Sequence, residues 1–301
     1  MSFIVTEAYS GQRLDKLLSI YFPTYSRTYF QYLIDEGAVL LNGKQVKKRE
    51  IPVIGDEIEV CFLLTPEISL EPENIPLEIL YEDEWILAIN KGAGMVVHPG
   101  PGHPSHTFVN ALLFHCHQLE KHDPLRPGIV HRLDKDTSGV LLAAKTKEAH
   151  QQLVSLFSNR QVKKKYLAIC VGNPGNVTIK GRIGRDPTQR QEMSVVPKNG
   201  KEAITHIQVL AYNENLSLVL ALPETGRTHQ IRVHLKSQGT PVLGDEVYGS
   251  ENANRSFHAK RQLLHAYHLS FLHPFKNIFI DIMAPPPSDF NRFIHLLKAE
   301  I

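Results

Sequence analysis

Cysteine is scarce in this chain. Three occur in 301 residues, Cys61, Cys116 and Cys170, isolated and odd in number. No Cys-x-x-Cys pair exists. A disulfide framework and a paired-cysteine zinc module are therefore excluded, and a reducing, cytoplasmic setting is expected. No apolar run comes near the roughly 18 residues that a membrane helix needs. The N-terminal Met1-Ser2-Phe3-Ile4-Val5-Thr6-Glu7 lacks a basic start followed by an apolar stretch, so no signal peptide is expected. Asp-Phe-Gly and Gly-x-Gly-x-x-Gly are both missing, which removes a protein kinase despite the string His131-Arg132-Leu133-Asp134. Residues 61–84 hold seven acidic residues and no basic one.

What remains is a globular composition, 42% hydrophobic, long enough for about two domains. The net charge of +2 hides an uneven distribution. Residues 1–60 are nearly balanced, with seven basic and eight acidic side chains, whereas residues 85–301 carry 26 basic against 16 acidic. A basic C-terminal portion of that size suits a surface that meets polyanions.

Periodicity divides the chain into residues 1–62, an acidic linker over 63–84, and residues 85–301. Leu14, Leu17 and Leu18 follow the i, i+3, i+4 spacing of an amphipathic helix. Phe30, Leu33 and Ile34 share one face of a second helix, with Ser26 as its N-cap and Gly37 at its end. Short strands are expected at 38–41 and 57–60, the first closed by the hairpin turn Asn42-Gly43. Pro66, Pro72 and Pro76 predict an extended, fairly stiff linker. Beyond it, strands are predicted at 86–89, 95–97, 161–171, 203–211, 215–222, 267–272 and 277–283. Helices are predicted near 107–115, 147–158, 227–238 and 287–298. Many strands in hairpin-like succession make an α+β fold with a mixed, largely antiparallel sheet.

Chemistry concentrates in His131-Arg132-Leu133-Asp134-Lys135-Asp136-Thr137-Ser138-Gly139. The flanking runs Gly128-Ile129-Val130 and Val140-Leu141-Leu142-Ala143-Ala144 read as strand–turn–strand. A rigid sheet would thus present two carboxylates and an arginine on a turn, although Asp, Ser and Gly are ordinary turn formers as well. His115-Cys116-His117 has metal-ligand residue types, but neighbours along a helix or strand are not expected to converge on one ion, and no metal is expected.

The nonapeptide resembles the signature of the RluA-type pseudouridine synthases. Asn90-Lys91-Gly92-Ala93-Gly94-Met95-Val96-Val97-His98-Pro99-Gly100 is similar to that family's first motif, with Gly92 where Pro is usual. Gly226-Arg227-Thr228-His229-Gln230-Ile231-Arg232 is similar to its third. The resemblance implies a bent mixed sheet with a central cleft and isomerisation of uridine to pseudouridine in RNA, with base flipping and no cofactor. It implies that Asp134 is the catalytic carboxylate; Asp136 is the internal alternative, and its ordinary role would be a turn acceptor for nearby backbone amides. It further implies that Arg227 pairs with Asp134, that Tyr166 stacks on the target base, that Arg132, with His131 beside it, fills the gap left by an extruded base, and that Leu264 lines the base pocket. The N-terminal unit resembles the S4 RNA-binding domain through Arg13-Leu14-Asp15, Ser26-Arg27, Gly37-Ala38-Val39, Asn42-Gly43 and Gly55-Asp56. Its cations Arg13, Arg27, Lys44, Lys47, Lys48 and Arg49 are the expected phosphate contacts. The implied partner is 23S ribosomal RNA or a pre-50S particle, met by a monomer away from any membrane. A member acting on other uridines of the same RNA, or a non-catalytic RNA-binding assembly factor, stays open as an alternative.

Overall fold

The computed structural model describes residues 1–23, 25, 27–63, 70–100, 102–117, 119, 127–189 and 192–299. Two units, Met1–Ile68 and Ser69–Ile301, close on separate cores. In the first, the order is β1 (Ser2–Ile4), α1 (Leu14–Tyr21), α2 (Arg27–Asp35), β2 (Val39–Leu41), β3 (Lys44–Gln45) and β4 (Glu57–Val60). Leu14, Leu17 and Leu18 of α1 and Phe30 and Leu33 of α2 are fully buried, as their spacing requires. The strands form a sheet in the order β1-β4-β2-β3. Asn42 and Gly43 both take positive φ, 51° and 73°, which a two-residue hairpin turn of the favoured hand demands. Ser26, the expected cap of α2, lies outside the described residues.

In the second unit follow β5 (Ile79–Glu82), β6 (Ile86–Lys91), α3 (Phe108–His115), β7 (Ser138–Ala144), α4 (Lys147–Ser158), β8 (Lys163–Val171), β9 (Val177–Arg185), β10 (Met193–Val195), β11 (Lys201–Tyr212), β12 (Leu216–Pro223), α5 (Gln230–Ser237), α6 (Glu251–Ser256), β13 (Leu264–Leu272), β14 (Phe279–Met283) and α7 (Ser288–Leu296). Ten strands make one sheet, ordered β10-β9-β11-β12-β8-β13-β7-β6-β5, with β14 added to β13. The fold is α+β and the sheet mixed but largely antiparallel, with β7 and β13 the parallel pair. Strand β7 is buried along its whole length. Val140 and Leu142 pack on one face with Leu153 of α4, while Leu141 and Ala143 pack on the other with Leu112 of α3. A strand covered on both faces reads as an unbroken apolar run, which is what 140–144 is. No helix among the described residues is long and apolar enough to cross a membrane.

Three segments depart from expectation. Residues 79–82, inside the stretch read as linker, are strand β5 and pair with β6; Pro66 of that stretch lies outside the described residues. Residues 95–97 make only the bridge Val96–Thr107, because the Gly92 and Met95 carbonyls both accept from the buried Lys91 Nζ, at 2.8 and 2.9 Å, and the chain curls round it. Residues 128–130 likewise make a single bridge, Ile129–Ala143, instead of a hairpin strand. There the Leu142 amide donates to His131 Nε2 at 2.9 Å, so a side chain takes the place of a ladder carbonyl.

Candidate active site

Three residues from outside the 131–137 loop pin it, and a fourth holds Ser138 just beyond it. Lys91 Nζ donates to the Lys135 carbonyl at 2.8 Å, Arg261 Nη1 to the Asp136 carbonyl at 3.0 Å, and Gln262 Nε2 to Thr137 Oγ1 at 2.7 Å. Ser138 Oγ bonds His265 Nδ1 at 2.9 Å, at the point where β7 and β13 run parallel. That crossing is close. A Cβ on Gly139 would stand 2.2 Å from the Ala266 carbonyl oxygen, and the φ of +113° is one that only glycine adopts without strain. The loop is therefore held by backbone carbonyls and buried donors, and Asp134 at its centre is presented without freedom to swing.

Asp134 lines a cavity of about 410 Å³, with its side chain 22% exposed. Its Oδ2 accepts from Arg232 Nη1 at 2.9 Å. Arg232 grips the fully buried Asp245 with its other edge, Nε to Oδ2 at 2.7 Å and Nη2 to Oδ1 at 2.9 Å. Asp245 is fixed in turn by the Val247 and Tyr248 amides. Burial alone would lower the Arg232 pKa, but Asp245, and then Asp134, more than reverse this and hold it above its ordinary value. A permanent cation thus faces Asp134, and a second carboxylate prevents it from turning away. Arg232's guanidinium also lies 4.9 Å from the centre of the Tyr248 ring.

The expected pairing of Arg227 with Asp134 is corrected. The guanidinium on Asp134 belongs to Arg232, five residues on. Helix α5 starts at Gln230, not 227, since Gln230 Oε1 accepts the Arg227 amide at 3.0 Å and His229 takes a left-handed φ of 55°. This leaves Arg227 in the turn before the helix, where its Nε donates to the Glu202 carbonyl at 2.9 Å. Arg232, in the first turn, points inward. Arg227 still lines the same cavity.

Tyr166, on β8, is half-buried in that cavity. Burial, and then the charge of Asp134, push its phenol above the ordinary range, so it stays neutral. Leu264 is buried at the start of β13 and lines the cavity as well. Arg132 is exposed at the rim and has no hydrogen bond or ion pair among the described residues. His131 faces inward and braces the loop. Its ring stacks on Phe157, with 4.6 Å between centroids, and burial, followed by the charge of Lys164, lowers its pKa to about 3, so it accepts the Leu142 amide as a neutral ring.

Two contributors were not singled out by sequence. Lys91 is fully buried, with three carbonyls on its Nζ. His229 sits with Nε2 3.8 Å from Asp134 Oδ1 and Nδ1 2.8 Å from the Tyr248 hydroxyl. That hydroxyl also accepts the Met193 amide at 2.9 Å, so His229 joins the Tyr248 hydroxyl to the Asp134 side of the cavity. Burial lowers its pKa, against the pull of Asp134, and keeps it neutral.

In the N-terminal unit, the buried Asp15 accepts from Arg13 Nε and Nη2 at 3.2 and 3.0 Å, from Arg27 Nε at 2.9 Å and from Gln31 Nε2 at 2.7 Å. Burial would raise the Asp15 pKa, but these donors bring it below its ordinary value. Arg13 and Arg27 thus tie α1 to α2, while 40% and 45% of their side chains stay exposed. Lys48 meets Asp35. Lys44, Lys47 and Arg49 are exposed and carry no ion pair among the described residues. His115 and Cys116 do converge, contrary to expectation. Helix α3 ends at His115, Cys116 turns as its C-cap, and their donor atoms lie within 4.8 Å of one another and of a Glu82 oxygen. Lys145 Nζ already stands 2.8 Å from that carboxylate, which leaves little attraction for another cation there.

The site can hold an ionised carboxylate beside a neutral aromatic ring in a cavity rimmed by cations. Comparison with known proteins points the same way. Residues 85–237 match the family model described as RNA pseudouridylate synthase, and residues 12–58 match the S4 domain. The chain is similar to an uncharacterized RNA pseudouridine synthase of Synechocystis sp., 42% identical across 99% of this chain and 92% of that protein. It is similar to ribosomal large subunit pseudouridine synthase D of Neisseria meningitidis, 41% identical across 97% of this chain and 80% of that protein. Among solved structures it resembles human RNA pseudouridylate synthase domain containing 4, with a TM-score of 0.59 and 28% identity over 74% of this chain and 94% of that one.

Proposed function

The chain belongs to the RNA pseudouridylate synthase family, and from that premise we propose that it converts uridines of 23S ribosomal RNA to pseudouridine, with Asp134 as the catalytic residue. The reaction balances without a redox partner. The N1–C1′ bond breaks, a C5–C1′ bond forms, C5 loses a proton and N1 gains one. A carboxylate can serve such a site as nucleophile or base. Relatives bearing the name ribosomal large subunit pseudouridine synthase D, at about 40% identity over nearly the whole chain, support the choice of RNA. The proposal extends to a cytoplasmic, monomeric enzyme acting on 23S RNA or a pre-50S particle.

The observation that carries the reading is the chain of charges Asp134–Arg232–Asp245 at the cavity floor. Arg232 occupies Oδ2, so Oδ1 is the oxygen left for the ribose. His229 Nε2 faces that oxygen at 3.8 Å, and burial lowers the pKa of the ring. Tyr166 offers a face for the extruded base, and Leu264 an apolar contact. Extrusion costs a few kcal/mol, and Arg132, exposed at the rim with no partner among the described residues, is a side chain that can enter the emptied stack. The test is to incubate the protein with 23S RNA that lacks these modifications and map pseudouridine along it. New pseudouridine should appear with the native chain and vanish with Asp134→Asn, which keeps RNA binding. Mapping also separates a synthase D-like pattern from that of a synthase acting on other 23S uridines. Unmodified RNA, or full turnover by Asp134→Asn, would refute the proposal.

A further inference from the structure

Lys164 is a half-buried cation with no partner among the described residues, unlike the buried cations Lys91 and Arg232. Lys91 has three carbonyls and Arg232 two carboxylates. Half-buried Lys164 has no hydrogen-bond acceptor and no carboxylate among the described residues, yet it lines the cavity that holds Asp134. A half-buried ammonium has lost part of its hydration, and without a counter-charge that loss stands uncompensated. Burial, and then the charge of Arg160, accordingly lower its pKa.

The surroundings are those of an anion site. Arg160, in a left-handed turn after α4, reaches its nearest carboxylates, Glu202 and Glu224, only at 4.0 Å. Glu224 is engaged by His206 at 2.7 Å. Gly226 presents bare backbone, and a Cβ there would be 3.9 Å from Lys164 Nζ, its nearest neighbour. At position 226, therefore, no side chain stands against Lys164 Nζ. Position matters too. Lys164 and Tyr166 are alternate residues of β8, so they point to the same side of the sheet about 7 Å apart. That is roughly the reach from a base to the phosphate of its own nucleotide.

We propose that Lys164, with Arg160 beside it, binds a backbone phosphate that flanks the uridine held against Tyr166. The inference rests on the reading of the cavity as a uridine site in RNA, and it adds that the site requires a charged phosphodiester next to the base.

The test uses a short RNA hairpin that the native chain converts, made with an uncharged methylphosphonate at the 5′ or the 3′ flank of the target uridine. Native protein is expected to lose about tenfold in kcat/KM on one of the two modified RNAs. Lys164→Gln should lose a similar factor on unmodified RNA and then show no further loss with that methylphosphonate, whereas Lys164→Arg should recover most of the rate. Indifference of the native chain to both modified RNAs would overturn the inference, as would a Lys164→Gln protein that still loses tenfold. The native-protein arm needs no variant to fold. Failure to convert the unmodified hairpin or any 23S RNA would instead strike the proposed function.

Discussion

At the scale of single residues, the two arginines of Gly226-Arg227-Thr228-His229-Gln230-Ile231-Arg232 make different predictions. Arg232→Met leaves the buried Asp245 without its counter-charge and with only the Val247 and Tyr248 amides, which should cost about 3–5 kcal/mol and abolish turnover. Arg227→Met removes one bond to a carbonyl at the cavity rim, so thermal stability should hold and RNA affinity should fall. Melting curves and single-turnover rates on both variants decide between them; equal losses would place Arg227 in the charge chain after all. Tyr166→Ala should weaken RNA binding by about 1–3 kcal/mol, the worth of a stacked base, and Tyr166→Phe should restore it. The sequence reading chose Arg227, at the predicted start of a helix, and passed over Arg232, because the choice depends on where α5 begins, and α5 begins only at Gln230. The readable clue was Arg232 between Ile231 and Val233, both buried, since an arginine among buried neighbours needs a buried acid. Its acid, Asp245, follows Gly244 and looks like any turn aspartate.

At the scale of elements, the crossing of β7 and β13 is the most vulnerable point. Gly139→Ala should part the two strands and destabilise by at least the roughly 1–3 kcal/mol of a strained backbone, with activity falling as the Asp134 loop loses its anchors. Leu141→Ala, on the same strand but remote from the cavity, should cost about 2–5 kcal/mol while the surviving folded fraction keeps its specific activity. Comparing the two by chemical denaturation and by rate per folded molecule separates loop placement from bulk stability. Most strands were legible because alternation and apolar runs report burial. Segments 95–97 and 128–130 look equally apolar but are not strands. Lys91 and His131 take up backbone groups that a neighbouring strand would otherwise pair, and no local periodicity reports a side chain doing that. Strands β9 and β10 escaped notice because glycines 181 and 184 interrupt the apolar pattern of β9 and β10 is only three residues long.

At the scale of the whole molecule, acid should unfold the protein well before its carboxylates are all protonated. His234 and His265 are fully buried, and burial lowers both pKa values to about 4 from the usual 6.5. The unfolded chain takes up these protons first, so their contribution is complete above about pH 6.5 and is lost as pH falls toward 4, at up to about 1.4 kcal/mol per pH unit for each. Urea midpoints at pH 7, 5.5 and 4.5 should decline accordingly, and an unchanged midpoint would contradict the burial of both rings. Removing residues 1–62 should raise the RNA concentration for half-maximal rate, soften its salt dependence and spare the saturated rate, since phosphate contacts far from the target stabilise substrate and transition state alike. The sequence suggests this division through its motifs and charge, but it gives no sign that Arg13 and Arg27 are committed to Asp15. The pinning of the Asp134 loop has one more consequence, which concerns time. Ser138 meets His265 across 127 residues, and Arg261, which holds the Asp136 carbonyl, is itself fixed by Asp289. A chain emerging from a ribosome at about 5–20 residues per second carries its aspartate for about 8–30 seconds before the last of those anchors exists. The centre on Asp134 is therefore expected to be assembled only after residues 261–289 have been made.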